Sequence, residues 1–319
     1  MTQKRVLGNP YLILAMCVAV APFLFKGKSA YVTGVLIFCA IHVILTVGLD
    51  LLMGYAGQIS VGHASFFAIG AYTSAILSTK YDVSPVGAMV TGMLLSGVLS
   101  WGIGRPILAL KGYYLAMATL AFNEIVINLI IGLEQLTGGA SGIRDIPPFA
   151  ILGITFKHHL LYYYWVWFIT IVVIVLSHAI VNSPIGRALM AIHSDEIGAQ
   201  AFGINCTKYK TNIFVIANVF ASLAGSLYAH FIGFIAPDDF QVTTSVNLLV
   251  MLYLGGIGTI WGPVIGACFL KILPEITYYF QDYELLVNGI ILVFVLIFLP
   301  EGIYGNLRKG LKKIPSKNG

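Results

Sequence analysis

Long apolar runs follow one another from residue 11 to residue 300 with only short polar breaks between them, and this feature leaves few folds open. A chain in hydrocarbon must satisfy its own backbone amides and carbonyls, so runs of this kind become helices, each crossing taking about 20 residues. Reading between the polar breaks places the runs at 11–25, 31–53, 62–78, 85–103, 112–133, 161–181, 211–233, 244–254, 258–278 and 284–300. The expected fold is all-α, a polytopic integral membrane protein of about ten transmembrane helices. The first, third and eighth runs are short. Gly255-Gly256 separates the eighth from the ninth, so those two read as full spans, half-helices or a re-entrant pair.

Composition agrees. Only 10% of the residues are charged and 58% are hydrophobic, whereas a water-facing surface needs about one quarter charged. The net charge of +5 resides in loops and the tail, not on a basic helix face, which argues against a nucleic-acid partner. Cys17, Cys39, Cys206 and Cys268 have no metal-ligand spacing, and three of them lie in apolar runs as small packing residues. The N-terminus has the basic start and apolar run of a signal peptide. Pro22 and the bulky residues after it replace a small-residue cleavage site, so a retained first span is expected.

Charge sets the expected orientation. With the N-terminus inside and spans alternating, Lys4, Arg5, Arg105, Lys111, Arg187, Lys208 and Lys210 fall in the cytoplasm. An even number of spans returns Arg308, Lys309, Lys312, Lys313 and Lys317 to that side, twelve of the eighteen basic residues. Asp82, Glu134, Asp145, Asp238, Asp239, Asp282 and Glu284 fall on the other. Both termini are therefore expected in the cytoplasm, with a basic tail over 305–319. No linker divides the chain, so residues 1–319 read as one domain.

Ionisable residues inside a membrane face a cavity, a partner or another helix. Asp50 lies in GLDLLMGYAGQISVGHASFFAIGAY, where glycines recur with Gln58, Ser60, His63 and Ser65 between them. Such glycine density permits both tight packing and a broken helix, and broken helices expose backbone to a transport path. Asn123, Glu124 and Asn128 form a second polar group, the last two sharing a helix face. Asp50, Gln58, His63, Asn123 and Glu124 are thus the candidate translocation-path residues, with buried hydrogen-bonded packing the alternative. Glu275, after Pro274, is expected to reach the membrane interface.

Neither a nucleotide site nor a catalytic set is expected. Gly27-Lys28-Ser29 lacks the earlier glycine of a phosphate-binding loop, since Pro22 stands there. His158-His159 lacks the companions of a metal site. No cofactor is implied, and any ATP-driven transport requires hydrolysis on another polypeptide.

The polar insert 182–210, NSPIGRALMAIHSDEIGAQAFGINCTKYK, is the exception to the oily pattern. Asn182-Ser183-Pro184 is a helix start with proline at the first helical position. Ile185, Leu189 and Ile192 make one apolar face, and Ser194-Asp195-Glu196 restarts a helix whose apolar face is Ile197, Ala201 and Ile204. Gly203 is the stop. Two short amphipathic helices either lie on lipid or dock in a groove of a soluble partner, and the acids favour docking.

These motifs resemble a known family. The insert is similar to the coupling loop of bacterial ABC-importer permeases. With the glycine-rich 48–72 stretch, GGIGTIWGPVIGA and FLPEGIYG, it resembles the branched-chain amino acid (Liv-type) permeases, the M-type subunit most closely, over about residues 30 to 305. The resemblance implies a second related permease, two cytoplasmic ABC ATPases and a periplasmic or extracellular substrate-binding protein, in a bacterial cytoplasmic membrane. It implies import of leucine, isoleucine and valine; urea or short amides, or an ion-coupled secondary transporter, are the alternatives. It also makes Asp195, Glu196, Ile197, Ala199, Ala201, Phe202 and Gly203 the ATPase-coupling loop. The family acid lies six residues before the glycine, where this chain has Ile197, with Glu196 one residue earlier.

Overall fold

The computed structural model describes residues 29–276 apart from 152–153 and 157–158, together with 14–16, 18–20, 22, 286, 289–290, 293–294 and 302–306. Most of the expected runs at 11–25 and 284–300, the tail beyond 306 and the Glu275 side chain lie outside the described residues.

Helix α1, Ser29–Asp50, continues into a π-helical turn, Leu51–Tyr55. After a non-helical stretch come α2, His63–Lys80; α3, Pro85–Leu108; and α4, Tyr113–Gly132. The 134–160 loop holds one helical turn, Glu134–Thr137, and a two-residue strand pair in which Ala150 faces Thr155 and Ile151 faces Ile154. Then follow α5, His159–Asn182; α6, Pro184–Ser194; α7, Glu196–Ala201; and α8, Cys206–Ile232. The last are α9, Val242–Gly255, and α10, Trp261–Ile276. Apart from the strand pair, the regular structure among the described residues is helical, as the apolar runs require.

Five of these helices are long and apolar enough to cross a membrane: Tyr31–Tyr55, Pro85–Leu108, Tyr113–Gly132, His159–Asn182 and Cys206–Ile232. Helix α2 is 18 residues long yet more polar, because Ser65, Ser74 and Ser78 are buried inside the bundle instead of facing lipid. Helices α9 and α10 are 14 and 16 residues, shorter than a perpendicular crossing. They pack as an antiparallel pair in which a Cβ on Gly255 would come within 1.9 Å of the Gly262 carbonyl oxygen, and one on Gly266 within 1.9 Å of that of Met251.

Helix α8 is the axis of the bundle. In lipid, helices associate through close van der Waals packing and hydrogen bonds, because apolar side chains gain little by leaving hydrocarbon. Its sequence supplies both: Ala217, Ala221, Ser222, Ala224, Gly225 and Ser226 are all buried. A Cβ on Gly225 would lie 2.0 Å from the Phe67 carbonyl oxygen, and one on Gly70 would lie 2.1 Å from that of Ser222. Helices α2 and α8 therefore touch backbone to backbone. Ser226 donates to Ser74 Oγ at 2.8 Å, Ser74 pairs with His230 Nε2 at 2.9 Å, and His230 Nδ1 donates to the Pro147 carbonyl at 2.8 Å. This chain ties the 134–160 loop to one end of the α2–α8 pair.

Candidate functional site

The break between α1 and α2 is where the glycine-rich stretch does its structural work. Non-helical backbone at membrane depth survives only where protein satisfies its polar groups. Here the Val61 amide donates to Thr119 Oγ1 and the Ala64 amide to Ser245 Oγ, each at 3.0 Å. Gly62 has no room for a side chain, since a Cβ would sit 2.0 Å from the Thr119 carbonyl oxygen. Helices α4 and α9 thus hold the start of α2, across the non-helical stretch 56–62 that separates it from α1.

Asp50, only 2% exposed, accepts a 2.7 Å hydrogen bond at Oδ1 from the amide of Gly258, in the turn between α9 and α10. Gln58 is buried and donates to the Ala56 carbonyl at 2.9 Å. His63 is buried at the start of α2 with both ring nitrogens lacking a hydrogen bond of good geometry, near the Leu45 carbonyl and the Asn218 side chain. Asn123 is fully buried on α4, its Nδ2 3.4 Å from the Phe240 carbonyl. Glu124, next in sequence, is exposed. It shares its face with Asn128, whose amide donates to the Glu124 carbonyl at 2.8 Å. The structure therefore gathers Asp50, Gln58 and His63 along one broken segment and sets Glu124 on the outer face of α4.

The polar insert is a hairpin of α6 and α7. Ser183 caps α6, its Oγ accepting from the Ile185 amide at 3.1 Å with Pro184 next. Leu189 and Ile192 are buried as their spacing predicts, but Ile185 is 43% exposed. Asp195 caps α7, its Oδ1 accepting from the Ile197 amide at 3.0 Å. The α7 face differs from the expectation: Ala199 packs inward against Ile192 and Cys206, while Ala201 is exposed, Ile197 is 75% exposed and Phe202 is 90% exposed. The short helix has only one buried position to offer, and its bulky apolar side chains project outward. Gly203 ends the hairpin at φ +82°, a conformation that favours glycine.

Glu196 does not project with them. Its Oε1 lies 2.8 Å from the buried Lys210 Nζ on α8, and its Oε2 lies 3.7 Å from Lys111 Nζ. The hydrogen bond from Lys210 is the main reason its carboxyl is held below the ordinary value of 4.5, with Lys111 adding to the effect. The acid one residue before the family position is thus an internal brace. The sequence marks Lys111 and Lys210 only as topology-setting charges, because no local spacing joins positions 111, 196 and 210. Beside the brace a cavity of about 390 Å³ opens, lined by Gln58, Lys111, His193, Asp195 and Lys210 among others.

Five helices long and apolar enough to cross a membrane, joined to a capped polar hairpin that presents apolar side chains, define the class as a multi-pass membrane protein. Residues 31–296 match the family described as the branched-chain amino acid transport system permease component, and the chain belongs to that family. It is 30% identical to the high-affinity branched-chain amino acid permease protein LivM of Salmonella typhimurium, over 95% of this chain and 76% of that protein. It is also 30% identical to Escherichia coli LivM, over 97% and 77% of the two chains. Escherichia coli LivH is 25% identical, over 83% of this chain and 91% of its own length. No solved structure matches the chain.

Proposed function

We propose that this chain is the membrane-spanning subunit of an ATP-driven importer of leucine, isoleucine and valine in a bacterial cytoplasmic membrane. Residues 1–319 act as one permease domain with both termini in the cytoplasm, paired with a second related permease. Two ABC ATPases hydrolyse the ATP, and a binding protein outside the membrane delivers substrate. The observation that carries the reading is the α6–α7 hairpin, where Phe202 at 90% and Ile197 at 75% exposure stand on a capped, ion-paired support. Apolar anchors on a rigid, polar-rimmed element are what a groove on a soluble partner accepts. Ala201 and Gly203 complete the contact surface, Asp195 and Ala199 hold its shape, and Glu196 braces it. Asp50, Gln58, His63 and Asn123 border the path through the bundle, and Glu124 on the outer face of α4 is available to the second permease.

Co-purification with the ATPase subunits tests the docking role. Phe202→Asp is expected to weaken ATPase association about tenfold or more while membrane insertion stays intact. Undiminished association, or uptake by this chain alone driven by an ion gradient, would overturn the proposal.

A further inference from the structure

Three motifs far apart in the sequence meet at one turn of helix. The π-helical turn Leu51–Tyr55 begins directly after Asp50. On one side, the Gly54 carbonyl accepts a 3.0 Å hydrogen bond from His193 Nδ1, at the end of α6 and two residues before the cap of α7. The imidazole is seated by Gly57, at φ +66°, where a Cβ would lie 2.8 Å from His193 Cδ2. On the other side, the Gly258 amide donates to Asp50 Oδ1, and Gly258 lies so close that a Cβ on Gly54 would be 2.5 Å from its nitrogen and 2.2 Å from Asp50 Oδ1. Gly258, at φ +71°, stands in the turn between α9 and α10, and a Cβ on Gly302 would fall 2.4 Å from the Cα of Gly256 in that turn.

A π-turn is a rare helical register, found frequently at functional sites. This one is gripped on both sides by hydrogen bonds, with no side chain at Gly54 to cushion displacement. We infer that Leu51–Tyr55 is the mechanical link between the α6–α7 hairpin and the α9–α10 pair, with His193 and Asp50 as its two positioning residues. Movement of the hairpin pulls on the Gly54 carbonyl through His193. The turn passes that movement through Asp50 to Gly258, and so to the short helix pair beside α1. Coupling through a contiguous set of bonds between packed elements needs no contact of either residue with substrate or ATPase.

The inference rests on the importer reading above, and its test separates the two. The complete assembly, with second permease, ATPases and binding protein, is reconstituted in liposomes, and uptake per ATP hydrolysed is measured. His193 is exposed, so His193→Ala is expected to keep the fold, and co-purification checks that ATPase association is retained. Uptake per ATP is expected to fall about three- to tenfold, the worth of one hydrogen bond. His193→Asn, whose amide nitrogen can occupy the position of Nδ1, should restore most of it. Hydrogen exchange supplies a second readout. ATPase engagement should change exchange at both 51–60 and 256–260 in the wild type, and should leave 256–260 unchanged in His193→Ala. Unaltered coupling in His193→Ala, no rescue by His193→Asn, or an unaltered response at 256–260 would overturn the link while the importer reading stands. Wild-type uptake that needs no ATP would overturn both.

Discussion

Glu196 shows how one side chain takes a role that its position in the sequence conceals. Placed in the first turn of α7, it reads as a helix-dipole acid or a partner contact, and only folding brings Lys210 within 2.8 Å and Lys111 within 3.7 Å. Its carboxyl titrates below the ordinary value of 4.5. The stabilisation it supplies is therefore complete above that value and is lost as pH falls through the depressed folded value. Thermal unfolding of the detergent-solubilised protein should lose stability on acidification across this window, and Glu196→Gln should flatten that part of the profile. At neutral pH, Glu196→Ala is expected to cost about 1–2 kcal/mol, since it strips a charged hydrogen bond from a buried lysine but leaves a site still open to solvent. Lys111→Ala, removing the longer and more exposed contact, should cost less. Equal losses for the two variants would contradict the brace.

Among the elements, the α2–α8 crossing and the hairpin make opposite demands. The crossing depends on absent side chains: Gly225→Val would drive a branched side chain into the Phe67 carbonyl, 2.0 Å from a Cβ. Folded yield from membranes should collapse, well beyond the ordinary 1–3 kcal/mol of an overpacked core. Gly132→Ala is the control, since nothing lies within 4 Å of a Cβ there, and its yield should match the wild type. The hairpin depends on present ones. Asp195→Ala removes the cap on the Ile197 amide and should cost about 1 kcal/mol, read as faster amide exchange over 196–201 with the spans unaffected. Caps of this kind were legible in the sequence because they act over two or three residues. The direction of the α7 face was not legible, because Ile197 and Ala201 fit an inward apolar stripe as well as an outward one, and only the packing of Ala199 on Cys206 decides it.

For the whole molecule, the folded chain sorts its loops to two ends. Lys111, His193, Glu196 and Lys210 gather at one, beside the break after Tyr55. At the other, Lys80 donates to the Gln135 carbonyl, and Ile143 bridges to Ile235. Charge counting expects the first end in the cytoplasm and the second outside, and labelling tests that expectation. Impermeant thiol reagents should label Phe202→Cys and Lys111→Cys only from the cytoplasmic face, and Asp82→Cys and Asp238→Cys only from outside; mixed labelling within either pair would break the topology. The sequence by itself determined that the protein lives in a membrane, that it is helical, where most described helices begin and end, and that 182–210 is a capped polar hairpin. These follow from hydropathy and short-range caps, which neighbouring residues settle among themselves. Only the tertiary structure decided that Asp50 holds Gly258, that His193 holds Gly54, and that Ser245 and Thr119 secure the start of α2. Polar groups separated by 58 to 208 positions must find one another, and those inside the bundle have no water to satisfy them. No local pattern encodes which partner each will meet.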